Sequence, residues 1–328
     1  MKLTVADNID ELVPYPPGKP IEELERELGI TGSIKLASNE NALGPSPKAV
    51  EAVKEAAEGL HRYPDGSCYY LREKMSEFVG VAPDMLTFGN GSNEIIELLI
   101  RAFLAPGDEV VMAEPSFAVY PIVVKAAGGV ARKVPLTQDF RHDLEAMAGE
   151  INDRTRIVFI ANPNNPTGTI VLEDEFKAFL EEVPDEVIVC VDEAYCEFVR
   201  DPHYPETLRH VTEGGKPVLL LRTFSKVYGL AGLRVGYGVA PKGLTDYLNR
   251  VRQPFNVNTL AQAAALACLG DTEHLERTLE NNNTGLDYLY KEVEKLGYEF
   301  VPTEANFFMI KVATARGSTT GSSVRASS

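Results

Sequence analysis

Four short segments of this chain carry side chains suited to covalent and acid–base chemistry. Arg222-Thr223-Phe224-Ser225-Lys226 sets an amine beside two hydroxyls, and Arg234 follows eight residues later within Gly-Leu-Ala-Gly-Leu-Arg-Val-Gly. Asp192-Glu193-Ala194-Tyr195 joins carboxylates to a phenol, and Asn162-Pro163-Asn164-Asn165-Pro166-Thr167-Gly168 presents amides in a turn. Gly89-Asn90-Gly91-Ser92-Asn93-Glu94 opens the apolar stretch Ile95–Phe103. Glycines and small polar residues at a helix start leave backbone N–H groups free to hold an anion. The inventory is therefore an amine, a carboxylate, a phenol, an amide and a phosphate cradle.

Pyridoxal phosphate requires such a set, because it is an electron sink that a protein must anchor, orient and keep protonated at its ring nitrogen. On this reading Lys226 forms the covalent link, its amine made nucleophilic by desolvation and nearby cations. Asp192 sits under the ring nitrogen, where a carboxylate favours the protonated ring. Tyr195 and Asn165 hydrogen-bond the ring hydroxyl, and Phe117 of Pro115-Ser116-Phe117 stacks on the ring face. The phosphate rests on Gly91, Ser92 and Asn93, helped by Thr223, Ser225 and Arg234. Each segment alone has a plainer reading: a turn, a solvated strand end, a helix cap, a core aromatic, a surface lysine. Their conjunction, in one order and mostly after apolar runs, outweighs those readings.

The elements that position these residues are legible as apolar runs bounded by turn residues: Glu109–Ala113, Arg156–Ala161, Glu186–Val191, Pro217–Leu221 and Val235–Ala240. They are short and rich in Val, Ile or Leu, the pattern of buried strands in a parallel sheet. Helix-period stretches lie between them, such as Pro47–Leu60 and Glu173–Val183. Alternating strand and helix predicts an α/β fold with a doubly wound, mostly parallel sheet. Residues 45–255 are expected to form the large cofactor-binding domain and 256–312 a smaller α+β unit, with long helices over Thr259–Leu296 and strands over Glu299–Val312. The N-terminal arm, residues 1–44, is expected to pack with that smaller unit. Residues 313–328, Ser/Thr/Gly/Ala-rich and without an aromatic or a Leu, are expected to be a disordered tail.

Composition narrows the function classes. The 328 residues are 44% hydrophobic and 24% charged, which suits a soluble globular protein. A formal net charge of −16 opposes binding to phosphate backbones, so nucleic acid is an unexpected partner. No apolar run is long enough for a membrane span, and the start MKLTVADNIDEL is too acidic for a secretory signal, so a cytoplasmic protein is expected. Cys68, Cys190, Cys196 and Cys268 form no CxxC pair; reduced, structural thiols and no metal site are expected.

Ser225-Lys226 with Gly-Leu-Arg-Val-Gly, the Asn-Pro-Asn-Asn-Pro-Thr-Gly turn and Asp-Glu-Ala-Tyr resemble the class I and II aminotransferases of fold type I, over nearly all of residues 10–312. Within them, Pro14-Tyr15-Pro16-Pro17-Gly18-Lys19-Pro20, Leu36-Ala37-Ser38-Asn39-Glu40-Asn41 and Arg62-Tyr63-Pro64-Asp65-Gly66 are similar to segments of the histidinol-phosphate aminotransferases. The resemblance implies amino-group exchange between L-histidinol phosphate and 2-oxoglutarate in histidine biosynthesis, with Lys226 moving the substrate α-proton. It implies a homodimer in which Tyr63 reaches the cofactor phosphate of the neighbouring subunit, and in which Tyr15 and Asn39 line the substrate pocket.

The chain departs from that family after Asn306–Val312, where the family continues with a helix, strands and a closing helix. That part carries an arginine gripping the substrate's anionic group, and neither Arg316 nor Arg325 has the matching context. The break in composition reads as a frame shift or a junction near Val312, and impaired turnover is the resulting expectation. The competing readings are a pyridoxal-phosphate-dependent decarboxylase of a phosphorylated hydroxyamino acid and a non-catalytic cofactor-binding remnant.

Overall fold

Runs of Val, Ile and Leu that are covered on both faces need no polar alternation, and here they make the centre of a sheet. The computed structural model describes residues 4–15 and 18–312; the tail expected over 313–328 lies outside the described residues. Seven strands, β1 (Leu86–Gly89), β2 (Glu109–Glu114), β3 (Val130–Pro135), β4 (Thr155–Ala161), β5 (Ile188–Asp192), β6 (Val218–Thr223) and β7 (Gly236–Val239), pair in the order β1-β7-β6-β5-β4-β2-β3. The pairs among β2 to β6 are parallel, whereas β7 runs antiparallel to both β6 and β1. The last apolar run, read above as one more parallel strand, is thus reversed. Between β6 and β7 the chain makes only a short turn of helix, Ala231–Leu233, and a parallel return needs a longer crossover.

Side chains alternate across each strand, so one sheet feeds two cores. Val110, Met112, Ile157, Phe159, Cys190 and Leu219 face one way, against helices α5 (Ser92–Phe103), α6 (Val119–Ala126) and α10 (Lys242–Val251). Val111, Val158, Val189 and Leu220 face the other. That second core is closed by α3 (Pro47–Ala57), α4 (Tyr69–Val79), α7 (Leu144–Gly149), α8 (Glu173–Glu182), α9 (Thr207–Glu213) and α11 (Thr259–Cys268). Helices on both faces of a mostly parallel sheet make a doubly wound three-layer arrangement. Among the described residues no helix is long and apolar enough to cross a membrane.

After α11 come α12 (Thr272–Lys295) and the antiparallel pair β8 (Phe300–Val301) and β9 (Met309–Ile310). Tyr290 of α12 stacks on Phe300 at 4.4 Å and meets Phe308 edge-on at 5.2 Å, which fixes the pair to the helix. The N-terminal segment carries two short helices, α1 (Asp7–Asp10) and α2 (Ile21–Leu28). Asn8 Nδ2 donates to the Lys125 and Ala126 carbonyls at the end of α6, both at 3.0 Å. Further on, Asn41 Nδ2 donates to Val227 O at 2.8 Å and to Thr278 Oγ1 at 3.2 Å. The segment that precedes the sheet therefore reaches both the strand-end loops and α12.

Candidate active site

In an open parallel sheet, backbone and side chains at the carboxyl ends of the strands are left free for a ligand. Here β4 ends before Asn162, β5 ends on Asp192 and β6 ends on Thr223, so the motifs read from sequence converge. They border a cavity of about 600 Å³. Tyr15, Asn39, Ser92, Asn93 and Phe117 line it, as do Asn165, Asp192, Tyr195, Thr223, Ser225, Lys226 and Arg234. Two of the residues singled out from sequence are not in its wall. Gly91 stands behind Arg234, and Tyr63, 83% exposed, stacks on Phe255 at 5.0 Å.

The buried acid in this cavity is Asp192. It is buried, with Oδ2 accepting from Tyr120 Oη at 2.9 Å and Oδ1 from Ala194 N at 3.2 Å. Burial pushes its carboxyl up to about 6, against the lowering effect of those hydrogen bonds. Lys226 answers it. Burial brings the ammonium down to about 8, opposed by the negative field of Glu40 and assisted by the positive field of Arg234. Its Nζ donates to Ser38 O at 2.9 Å and lies 5.3 Å from the centre of the Tyr195 ring. A lysine that loses its proton near neutrality is a usable nucleophile and base.

Tyr195 is buried with its Oη accepting from Asn39 Nδ2 at 3.1 Å and Asn165 Nδ2 at 3.4 Å. Burial raises the phenol, so it stays protonated and keeps one hydrogen to donate. Ser38 and Asn39 both adopt left-handed φ, 69° and 51°, which turns the Ser38 carbonyl toward Lys226. Asn306 Nδ2 secures that bend by donating to Asn39 O at 3.1 Å.

An anion cradle lies between α5 and β7. Gly91 takes φ 78° at the N-cap of α5, and no side chain caps the helix, so its first N–H groups are free. A Cβ on Gly91 would stand 2.3 Å from Arg234 Nη2, and one on Gly236 would stand 2.4 Å from Ser92 N. Only glycine lets the guanidinium and the helix start approach this closely. Thr223 Oγ1 donates to Ser225 Oγ at 3.0 Å, and Arg234 Nη1 donates to the same oxygen at 3.4 Å. A phosphate fits a positive helix end bordered by hydroxyls and a guanidinium. With a buried carboxylate and a deprotonatable amine in the same cavity, the residues present fit pyridoxal phosphate.

The family profile "Aminotransferase class I and II" matches residues 31–322. The chain belongs to this family. Within the family it is similar to the histidinol-phosphate aminotransferase of Moorella thermoacetica, at 54% identity over 91% of this chain and 77% of that protein. Histidinol-phosphate aminotransferase 2 of Carboxydothermus hydrogenoformans is 50% identical over 92% of this chain and 83% of that protein. Among solved structures, the histidinol-phosphate aminotransferase of Sinorhizobium meliloti in complex with pyridoxal-5'-phosphate superposes with a TM-score of 0.87. It is 26% identical, covering 95% of this chain and 83% of that one. The architecture is that of a fold type I aminotransferase.

Tyr120, the Ser38 carbonyl and Glu40 contribute to the cavity although the sequence assigned them no role of their own. Tyr120 follows Phe117 by one helical turn inside an apolar stretch, and a phenol wholly buried there must find an acceptor. The Ser38 carbonyl gives no side-chain signal at all.

Proposed function

We propose that this chain exchanges the amino group of L-histidinol phosphate with that of glutamate through 2-oxoglutarate, with pyridoxal phosphate as cofactor, in histidine biosynthesis. The observation that carries the reading is the convergence of Lys226, Asp192 and the Ser92–Arg234 cradle in one cavity, with Gly91 leaving room behind the guanidinium. Identity to histidinol-phosphate aminotransferases at about half of all positions supports the choice of substrate. Bound there, pyridoxal phosphate supplies an electron sink that stabilises charge developing at the substrate α-carbon. Gly91, Ser92, Asn93, Thr223, Ser225 and Arg234 would hold its phosphate, Phe117 its ring face, and Asn165 and Tyr195 its ring hydroxyl.

Lys226 Nζ, brought down to about 8, would give the cofactor its covalent anchor and, once the substrate amine displaces it, would be free to take and return the proton at the substrate α-carbon. Asp192, ionised, would accept a hydrogen bond from the protonated ring nitrogen and so keep the proton there. Tyr15 and Asn39 contact the substrate from the N-terminal arm. The working form in this reading is a cytoplasmic homodimer in which Tyr63 completes the partner's phosphate site. Residues 45–255 serve as the cofactor-binding domain, and 256–312 belong to the smaller unit.

The test uses the full chain loaded with cofactor. Histidinol phosphate should convert the visible absorbance of lysine-bound cofactor, and glutamate should accumulate from 2-oxoglutarate in the wild type and not in Lys226→Ala. Release of carbon dioxide in place of amino transfer, or an unchanged visible band in Lys226→Ala, would overturn the reading.

A further inference from the structure

Tyr120 lies on α6, wholly buried, and its neighbours hold the ring on two sides. Phe159 of β4 stacks flat against it, centroids 4.4 Å apart and planes 2° apart, and Phe117 meets it edge-on at 5.4 Å. A ring held in this way has little rotational freedom, so the direction of its hydroxyl is fixed. That hydroxyl donates to Asp192 Oδ2 at 2.9 Å.

We propose that Tyr120 is a positioning residue that holds the Asp192 carboxylate ionised and in a fixed orientation toward the ring nitrogen of pyridoxal phosphate. The inference rests on the reading that Asp192 faces that nitrogen. A carboxylate beside a ring nitrogen shares one proton with it. The proton stays on nitrogen, where it makes the ring electron-withdrawing, only while the carboxylate is the weaker base. A hydrogen bond donated to the carboxylate weakens its basicity and so keeps the proton on the ring. Burial keeps the Tyr120 phenol far from ionising, so it remains a donor across the working range.

Other groups facing Asp192 cannot replace it. Glu193 raises the carboxyl, Lys226 lowers it but is committed to the cofactor, and Cys190 and Tyr195 are held neutral by burial. Ala194 N reaches only the other oxygen.

The test compares wild type with Tyr120→Phe in the full chain, which removes the hydroxyl and keeps the ring. Without cofactor, the carboxyl carbon of Asp192, followed by ¹³C resonance, should titrate about one pH unit or more higher in the variant. With ring-¹⁵N-labelled cofactor bound, the nitrogen resonance should move toward its unprotonated position. The inflection of turnover governed by the pair should shift in the same sense as the Asp192 midpoint. A purely structural role for Tyr120 would move stability and leave all three readings where they are, and that result overturns the proposal.

Should Tyr120→Phe fold poorly, the wild type carries the test alone. The ¹³Cζ resonance of Tyr120 should inflect at the Asp192 midpoint, and the inflection should vanish in Asp192→Asn; a flat Tyr120 resonance overturns the proposal. If Asp192→Asn leaves the ring nitrogen unchanged while Tyr120 still senses Asp192, the underlying placement of Asp192 is what fails, and the positioning role falls with it.

Discussion

Asp192 is a carboxylate placed where ionisation is unfavourable until a cation joins it. In the cofactor-free chain its carboxyl sits at about 6 rather than the ordinary 3.8, burial being the main cause. Between those values the folded chain binds more protons than the unfolded one, so this residue removes stability as pH rises through that window, and the deficit persists above it. Asp192→Asn keeps an oxygen for Tyr120 and carries no charge. The cofactor-free variant is therefore expected to exceed wild type at about pH 8 by up to about 3 kcal/mol, with the difference closing below about pH 4. Its transamination is expected to fall steeply, an exchange of function for stability. Urea unfolding at several pH values checks it, and a variant less stable than wild type at high pH would contradict it. At this scale the meeting of Lys226, Asp192, Tyr195 and Asn165 in one cavity was legible because each follows an apolar run and bears a reactive or polar group. Tyr120 was not, since a phenol within Val119–Ala126 looks like one more core aromatic. Ser38 acts through its carbonyl and a left-handed φ of 69°, neither of which has a residue-type signature.

At the scale of elements, one buried acid joins the starts of three strands. Glu109, at the head of β2 and 1% exposed, accepts from Arg132 of β3 through Nε at 2.6 Å and Nη2 at 2.9 Å. Arg154, just before β4, also reaches Oε1 at 2.5 Å, and Asn152 Nδ2 donates to Oε2 at 2.9 Å. These hydrogen bonds, Arg132 first, bring the carboxyl down to about 2. A depressed carboxyl contributes stability that is complete above its ordinary 4.5 and is lost as pH falls toward about 2. Glu109→Gln is expected to cost about 2–3 kcal/mol near neutrality, with the gap narrowing as acid protonates the wild type. Parallel denaturation curves at neutral and acid pH read this directly; a gap that is constant with pH would exclude the ionic cause. Strands β2, β4, β5 and β6 were visible as apolar runs because both their faces are buried. Strand β3 was not, since it lies at the sheet edge and spends Arg132 and Lys133 on solvent and ion pairs. The reversal of β7 was hidden for another reason: composition and period are the same in either direction, and only the short link after β6 decides it.

At the scale of the whole molecule, the layered fold and its family were legible because strand-end motifs and apolar runs share one order along the chain. The proposed relation between copies is different, since it rests on residues that are exposed in one copy. Ile34 is 86% exposed, Leu36 91%, Tyr70 75% and Tyr63 83%. In the proposed homodimer such side chains would be ones that a partner covers. In a homodimer of the proposed kind each site draws Lys226 from one subunit and Tyr63 from the other. That sharing gives a prediction which no monomer meets. Tyr63→Ala and Lys226→Ala should each be poor or inactive alone, because every site lacks one of the two groups. Unfolded together and refolded as a mixture, half of the dimers should be hybrid, and each hybrid should hold one site with both groups intact and one with neither. Activity is then expected to return to about a quarter of wild type, following the two-fold symmetry of the assembly. The check is turnover of the mixture against the separate variants at equal total protein. If the mixture shows only the mean of the two, the sites are not shared through Tyr63.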